Sequence, residues 1–255
     1  MSKLAITQSR GLGDIVISLP IAKYYHDQGR EIHWAICEEF ISHVKPYVSW
    51  VNWHTVKTDP GSFFWDQPNK IYDDLGIEDR ICLYQALTGH DFHTATQFQH
   101  TKFDQYKYVA AGVPFLRKWQ LKDCLEACPE RQQSLLDLIH SNLDRPTDPY
   151  ILIHVQGSDH RARFDPSVLP PDMAAIEITD LTHSVFDWSQ ALDQAYAVIL
   201  VDSVFSNLVD QLALNTDDGR YFIPRSHIGL TPVLGQHWTW LPNQALNAHA
   251  QTIRV

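Results

Sequence analysis

The stretch LAITQSRGLGDIVISLP, residues 4–20, decides the architecture. KLAITQS (residues 3–9) is a mostly apolar run suited to a strand buried on both faces, and the turn RGLGD after it carries two glycines. Ile15 to Gln28 then reads as a helix closed by Gly29, with Pro20 expected to kink it. EIHWAICEEF (residues 31–40) supplies the next strand, so the order is strand, helix, strand. Half a chain later YILIHV (residues 150–155) opens a second unit of the same kind. It is followed by the polar loop QGSDHRARFDPSVLPP, strand AAIEIT, helix DWSQALDQA, strand YAVILVDS, helix SNLVDQLALN and a further strand, RYFIP. Such alternation predicts an α/β chain with mostly parallel sheets covered by helices on both faces.

Between these halves VNWHTV (residues 51–56) reads as a strand, and RICLYQALTG (residues 80–89) and ERQQSLLDLIHSNL (residues 130–143) read as helices. The stretch NLDRPTDP (residues 142–149), polar and carrying two prolines, is the expected linker, which divides the chain into domains 1–146 and 147–255. A length of 255 residues accommodates two modest domains, and 44% apolar residues suffice to build their cores.

Composition narrows the function. Twenty Lys+Arg against thirty Asp+Glu leave a net charge of -10, the wrong sign for a face that grips a nucleic-acid backbone. Four cysteines are too sparse for a disulfide framework, and Cys124 and Cys128, four apart, lack a second ligand pair for zinc. The N-terminus lacks the apolar core of a secretory signal, and the longest apolar runs fall short of the ~18 residues of a membrane span. A cytoplasmic protein without transmembrane segment, metal or cofactor is expected.

Three segments carry chemistry. Gly11, Gly13 and Asp14 follow the first strand at the carboxyl edge of the sheet, where open α/β sheets bind ligands. Asp14 is there either an N-cap or a carboxylate able to take a proton from a substrate hydroxyl. GLGD lacks the third glycine of a dinucleotide fingerprint. The second segment, Gln156 to Arg163, joins the Gly157–Ser158 turn to Asp159, His160, Arg161 and Arg163. It is either a solvated loop or a local cationic site for an anion in an acidic chain. The third, VDSVFSN (residues 201–207), leads from a strand into a helix start bearing Ser203, Ser206 and Asn207. Those serines either cap the helix or join its free N–H groups in a phosphate cradle.

Together the three segments resemble the lipopolysaccharide heptosyltransferases and their relatives. LAITQSRGLGDIVISLP resembles that family's first strand, GxGD turn and proline-containing helix, YILIHVQGSDHRARF the strand and loop opening its nucleotide domain, and YAVILVDSVFSNLVDQLAL its late strand and Asp-Ser/Thr-Gly-x-x-His helix. The resemblance implies a GT-B fold, two Rossmann-like domains facing across a cleft. It implies an inverting, metal-independent hexosyl or heptosyl transfer from a nucleotide-diphosphate sugar to an acceptor hydroxyl. Asp14 then becomes the general base. Gly157, Ser158, Arg161, Arg163, Asp202, Ser203 and Asn207 become donor-binding residues, with Gly11 and Gly13 at the acceptor-side turn. By position, Glu177 and Thr182 fall near the nucleoside half. Val204 stands where the family has glycine and Asn207 where it has histidine, and the chain is shorter than a typical member.

Two alternatives stand beside this: a catalytically degenerate sugar-nucleotide-binding or interaction protein of the same fold, and a glycosyltransferase acting on nucleic acid or a modified base, which the acidic balance opposes. His90, His93 and His100 complete no recognised metal spacing. Trp50, Trp53, Trp65 and Trp119 are sugar contacts or core, and Trp238 and Trp240 are expected at an interdomain hinge.

Overall fold

The computed structural model describes residues 2–57, 63–84, 102–157, 161–179, 183–215, 219–225, 232–235 and 237–245. Ser158, Asp159, His160, Thr182, His90, His93 and His100 lie outside these residues. The chain forms two compact units, Met1–Ala127 and Cys128–Val255.

The first unit is a four-stranded sheet of order β3-β2-β1-β4, built from β1 (Lys3–Thr7), β2 (Glu31–Cys37), β3 (Asn52–Val56) and β4 (Arg80–Cys82). All three neighbouring pairs are parallel. β1 and β2 are buried along almost their whole length, as strands covered on both faces must be. α1 (Leu12–His26) joins them and is buried continuously from Ile15 to Ala22. It starts three residues earlier than its apolar run suggests, so Gly13 and Asp14 belong to its first turn, and it runs on through Pro20. Around the sheet lie α2 (Glu38–Val44), α3 (Asp66–Asp74), α4 (Phe103–Ala110) and a 3-10 segment, Phe115–Cys124. The start of RICLYQALTG is strand, not helix: Ile81 pairs with Ile6 in β1, because the free parallel edge of β1 offers these residues a full set of backbone partners.

The second unit has a five-stranded sheet of order β6-β5-β7-β8-β9, formed by β5 (Tyr150–His154), β6 (Ala174–Glu177), β7 (Ala197–Val201), β8 (Arg220–Ile223) and β9 (Thr239–Trp240), all parallel. β5 and β7, buried at every position, form its centre. α5 (Pro129–Ser141), α6 (Ser189–Gln194) and α7 (Val204–Gln211) cover it, and a short 3-10 turn, Val185–Trp188, precedes α6.

The division between units falls before α5, not in the polar stretch after it. Arg131 of α5 forks onto Asp187, Nε to Oδ1 at 2.9 Å and Nη2 to Oδ2 at 2.8 Å. The same helix buries Leu135, Leu136 and Ile139. Residues 142–149 therefore connect a helix to a strand within the second unit. Trp238 and Trp240 also belong to that unit's own packing: both meet Phe222 edge-on, and Trp238 Nε1 donates to Asp210 Oδ1 at 3.0 Å. No helix among the described residues is long and apolar enough to cross a membrane.

Candidate functional site

Each unit gathers polar residues at the carboxyl end of its central strands. In the first, Gly11 supplies the turn from β1 into α1 with φ 78°, a conformation that favours glycine, and a Cβ there would stand 2.5 Å from Asp14 Oδ2. Gly11, not Asp14, is the N-cap. Asp14, third in the helix, is 36% exposed at its side chain, and its Oδ1 lies 3.2 Å from the Lys107 ammonium. A carboxylate in a first helical turn also meets the positive end of the helix dipole.

Lys107 is a residue that sequence reasoning missed. It is buried on α4, donates to Gln8 Oε1 at 2.6 Å and lies 3.5 Å from the Leu83 carbonyl. With Asp14 this gives all three ammonium hydrogens a direction, so the contact to Asp14 is fixed. The signal available was a lysine between two aromatic residues in FDQYKYVA, which marks burial but names no partner. Tyr84, just beyond β4, completes the floor: its hydroxyl accepts the N–H groups of Ser9 and Arg10, both at 2.9 Å. Burial is the main reason its pKa is raised, and the charge of Asp14 adds to the effect.

In the second unit the loop after β5 folds back on itself. Gln156 and Arg161 form an antiparallel bridge, and the Ala162 N–H donates to the Val155 carbonyl at 2.8 Å. Ala162 is buried, which leaves Arg161 and Arg163 exposed on either side of it. Arg161 reaches Glu177 Oε2 at 2.6 Å. Arg163 is held by its backbone, its N–H donating to Asn243 Oδ1 at 3.2 Å and its carbonyl accepting from Gln244 at 2.8 Å.

At the neighbouring strand end Ser203 caps α7 in extended backbone, and its N–H donates to Ser206 Oγ at 3.1 Å. Asp202 is buried, its N–H donating to the Ile223 carbonyl. The Asn207 amide donates one of its two hydrogens back to the carbonyl of the capping Ser203 at 2.9 Å. His154, also missed, ends β5 with Nδ1 3.1 Å from Ser203 Oγ and its ring edge-on to Phe205. Burial pushes its pKa down to about 4, with Glu177 pulling the other way. His154 is thus neutral near pH 7 and links the two strand ends that bear the cationic loop and the helix start.

The tryptophans divide clearly. Trp50 donates to the Cys124 carbonyl and Trp53 to the Val48 carbonyl, each at 2.8 Å, while Trp119 packs on Phe115. Trp65 instead stacks on Phe63, a strongly exposed ring. Among the described residues no three His, Cys, Asp or Glu side chains are placed to hold a metal ion.

No family model and no curated protein matches the chain. Solved structures do. The glycosyl transferase family 9 protein from Veillonella parvula aligns over 99% of this chain and 89% of its own, with a TM-score of 0.54 at 10% identity. The iron-containing dodecameric glycosyltransferase TibC from E. coli aligns over 93% of this chain at TM-score 0.56 and 11% identity, and this chain spans only 62% of that protein. E. coli heptosyltransferase WaaC, solved with ADP-2-deoxy-2-fluoro heptose, aligns over 99% of both chains at TM-score 0.50 and 11% identity. At these identities the likeness is one of fold: the two parallel α/β units follow the plan of GT-B glycosyltransferases.

Proposed function

We propose that the protein transfers a sugar from a nucleotide diphosphate to an acceptor hydroxyl with inversion at the anomeric carbon. The observation that carries this reading is Asp14, a half-exposed carboxylate at the carboxyl end of β1, tied through Oδ1 to the buried Lys107. In the reaction its other oxygen takes the proton of the acceptor hydroxyl as that oxygen attacks the anomeric carbon. The bond from that carbon to the diphosphate breaks, and its electron pair leaves with the diphosphate. Arg161, Arg163 and the start of α7 at Ser203 meet the charge that develops there, with no metal required. Gly157 and Ser158 are assigned to the same donor contact from the sequence, and Glu177 to the nucleoside half. The nucleotide-sugar analogue bound to WaaC supports this class of donor.

Asp14→Asn is expected to lower transfer between 10²- and 10⁴-fold, the usual worth of a general base, while the KM for donor changes little. Undiminished turnover with an acceptor the parent protein uses removes Asp14 from the role.

A second reading, a protein that binds sugar nucleotides without turnover, is favoured by two contacts. Arg161 is engaged by Glu177, and the Asn207 amide is turned onto Ser203. Thermal stabilisation by UDP- or ADP-sugars with neither hydrolysis nor transfer would select it.

A further inference from the structure

Four aromatic rings collect beside the end of β1, and two of them stand in water. Phe63 is 66% exposed and Phe64 43%. Phe63 lies flat against Trp65, ring planes 3° apart and centroids 5.0 Å apart. Phe64 meets Trp65 edge-on and Tyr84 at a tilt. The backbone of this segment is pinned at both phenylalanines. The Phe63 N–H donates to Asp66 Oδ2 at 3.1 Å where α3 begins, and Ser9 Oγ donates to the Phe64 carbonyl at 2.6 Å. The Arg10 guanidinium covers Phe64 at 4.3 Å from its centroid. Large apolar side chains fixed in water forgo burial without the freedom of a loose loop, and such patches mark binding surfaces.

The position of the patch relates it to Asp14. Ser9 and Arg10, which hold Phe64, are bound through their N–H groups to Tyr84 and are followed directly by Gly11 and the first turn of α1. The crevice between Ser9, Phe64 and Gln67 has a volume of only about 10 Å³. A ligand must therefore lie face-on against the exposed Phe63 ring, since it cannot enter the crevice. A compact apolar ligand gains little from such a surface. A pyranose fits it, because its C–H face is apolar and its hydroxyls stay at the rim in water. Charges beside the platform are mixed, with Arg10 over Phe64, Asp66 at its edge and Lys107 paired to Asp14, and this is no cationic track for a polyanion.

We propose that the exposed face of Phe63, backed by the parallel Trp65 ring with Phe64 standing edge-on to Trp65, forms the acceptor platform, on which the ring of a neutral carbohydrate stacks so that its hydroxyl reaches Asp14. This rests on the transfer reading above, and its test separates the two. Ligand-observed NMR on the full chain, with ADP present, uses hexasaccharides of glucose, galactose, mannose and N-acetylglucosamine. At least one is expected to bind, and Phe63→Ala to weaken it tenfold or more. Leu116→Ala, an exposed apolar side chain elsewhere in the unit, is expected to leave binding unchanged. Binding of this kind in a protein that transfers no sugar keeps the platform and removes the transfer reading. Overturning results are binding to none of the four, equal affinity in Phe63→Ala, or tighter binding of a dT hexamer than of any sugar.

Discussion

His154 shows how a single residue ties the fold to pH. It is 5% exposed, and its pKa of about 4 reflects burial against Phe205 and beside Ser203. In the unfolded chain a histidine titrates near ~6.5. Between those two values the unfolded chain holds a proton that the folded one does not, so stability rises with pH through that window. The contribution is fully present above about pH 6.5 and is lost as pH falls towards 4, for a total of roughly 3 kcal/mol. His54, whose pKa burial also lowers, acts in the same direction. Comparing wild type with His154→Gln separates the part due to His154: urea unfolding is expected to show wild type losing about 2 kcal/mol more than the variant between pH 7 and pH 5. Parallel losses in the two proteins remove His154 from this account. Neither His154 nor Lys107 was recognised as a site residue in the sequence, because each depends on a partner supplied by another element. The position of Gly11 and Asp14 at the turn from β1 into α1 is legible, since that turn is encoded in five consecutive residues.

At the scale of elements, what could be read was what burial makes periodic or continuous. β1, β5 and β7 are uninterrupted apolar runs because helices cover both faces, and α1 is apolar all round because it is enclosed. Arg80–Cys82 and Thr239–Trp240 are too short to carry a period and owe their strand form to the edges of β1 and β8. The packing of α4 against the 3-10 segment Phe115–Cys124 was equally hidden. It is joined by Lys118 and Asp104, 2.9 Å apart with side chains 0% exposed, and the ammonium also lies 5.4 Å from the Trp119 ring centroid. Removing one member takes the counter-charge from a buried ion, so Lys118→Met is expected to cost about 3–5 kcal/mol. Adding Asp104→Leu is expected to recover most of that loss, because two apolar groups need no solvation. Denaturant unfolding of both single variants and the double variant closes the cycle. Independent, additive losses would mean that the two charges are solvated separately.

For the whole molecule, the question is which residues make the second unit self-sufficient. The polar stretch 142–149 reads as a linker by composition, yet composition reports only what a segment cannot bury, not which side its neighbours pack on. α5 precedes it and buries Leu135, Leu136 and Ile139, which are 2%, 2% and 4% exposed. At ~1.5–3 kcal/mol for each fully buried aliphatic side chain, these three are worth several kcal/mol. That is a large share of the ~5–15 kcal/mol by which domains are stable. The Arg131 fork onto the almost fully buried Asp187 adds a charged pair whose loss leaves a carboxylate without its guanidinium. A fragment of residues 128–255 is therefore expected to unfold cooperatively with a resolved amide NMR spectrum. A fragment of residues 147–255 is expected to show collapsed amide dispersion and no cooperative transition. Should the shorter fragment melt as sharply as the longer one, α5 is an appendage and the unit begins at β5. If instead Arg131→Ala in the longer fragment lowers its midpoint and the unfolding stays a single transition, with α5 and β5 to β9 lost together, the helix is part of the cooperative unit, which then extends to Cys128 as its contacts indicate.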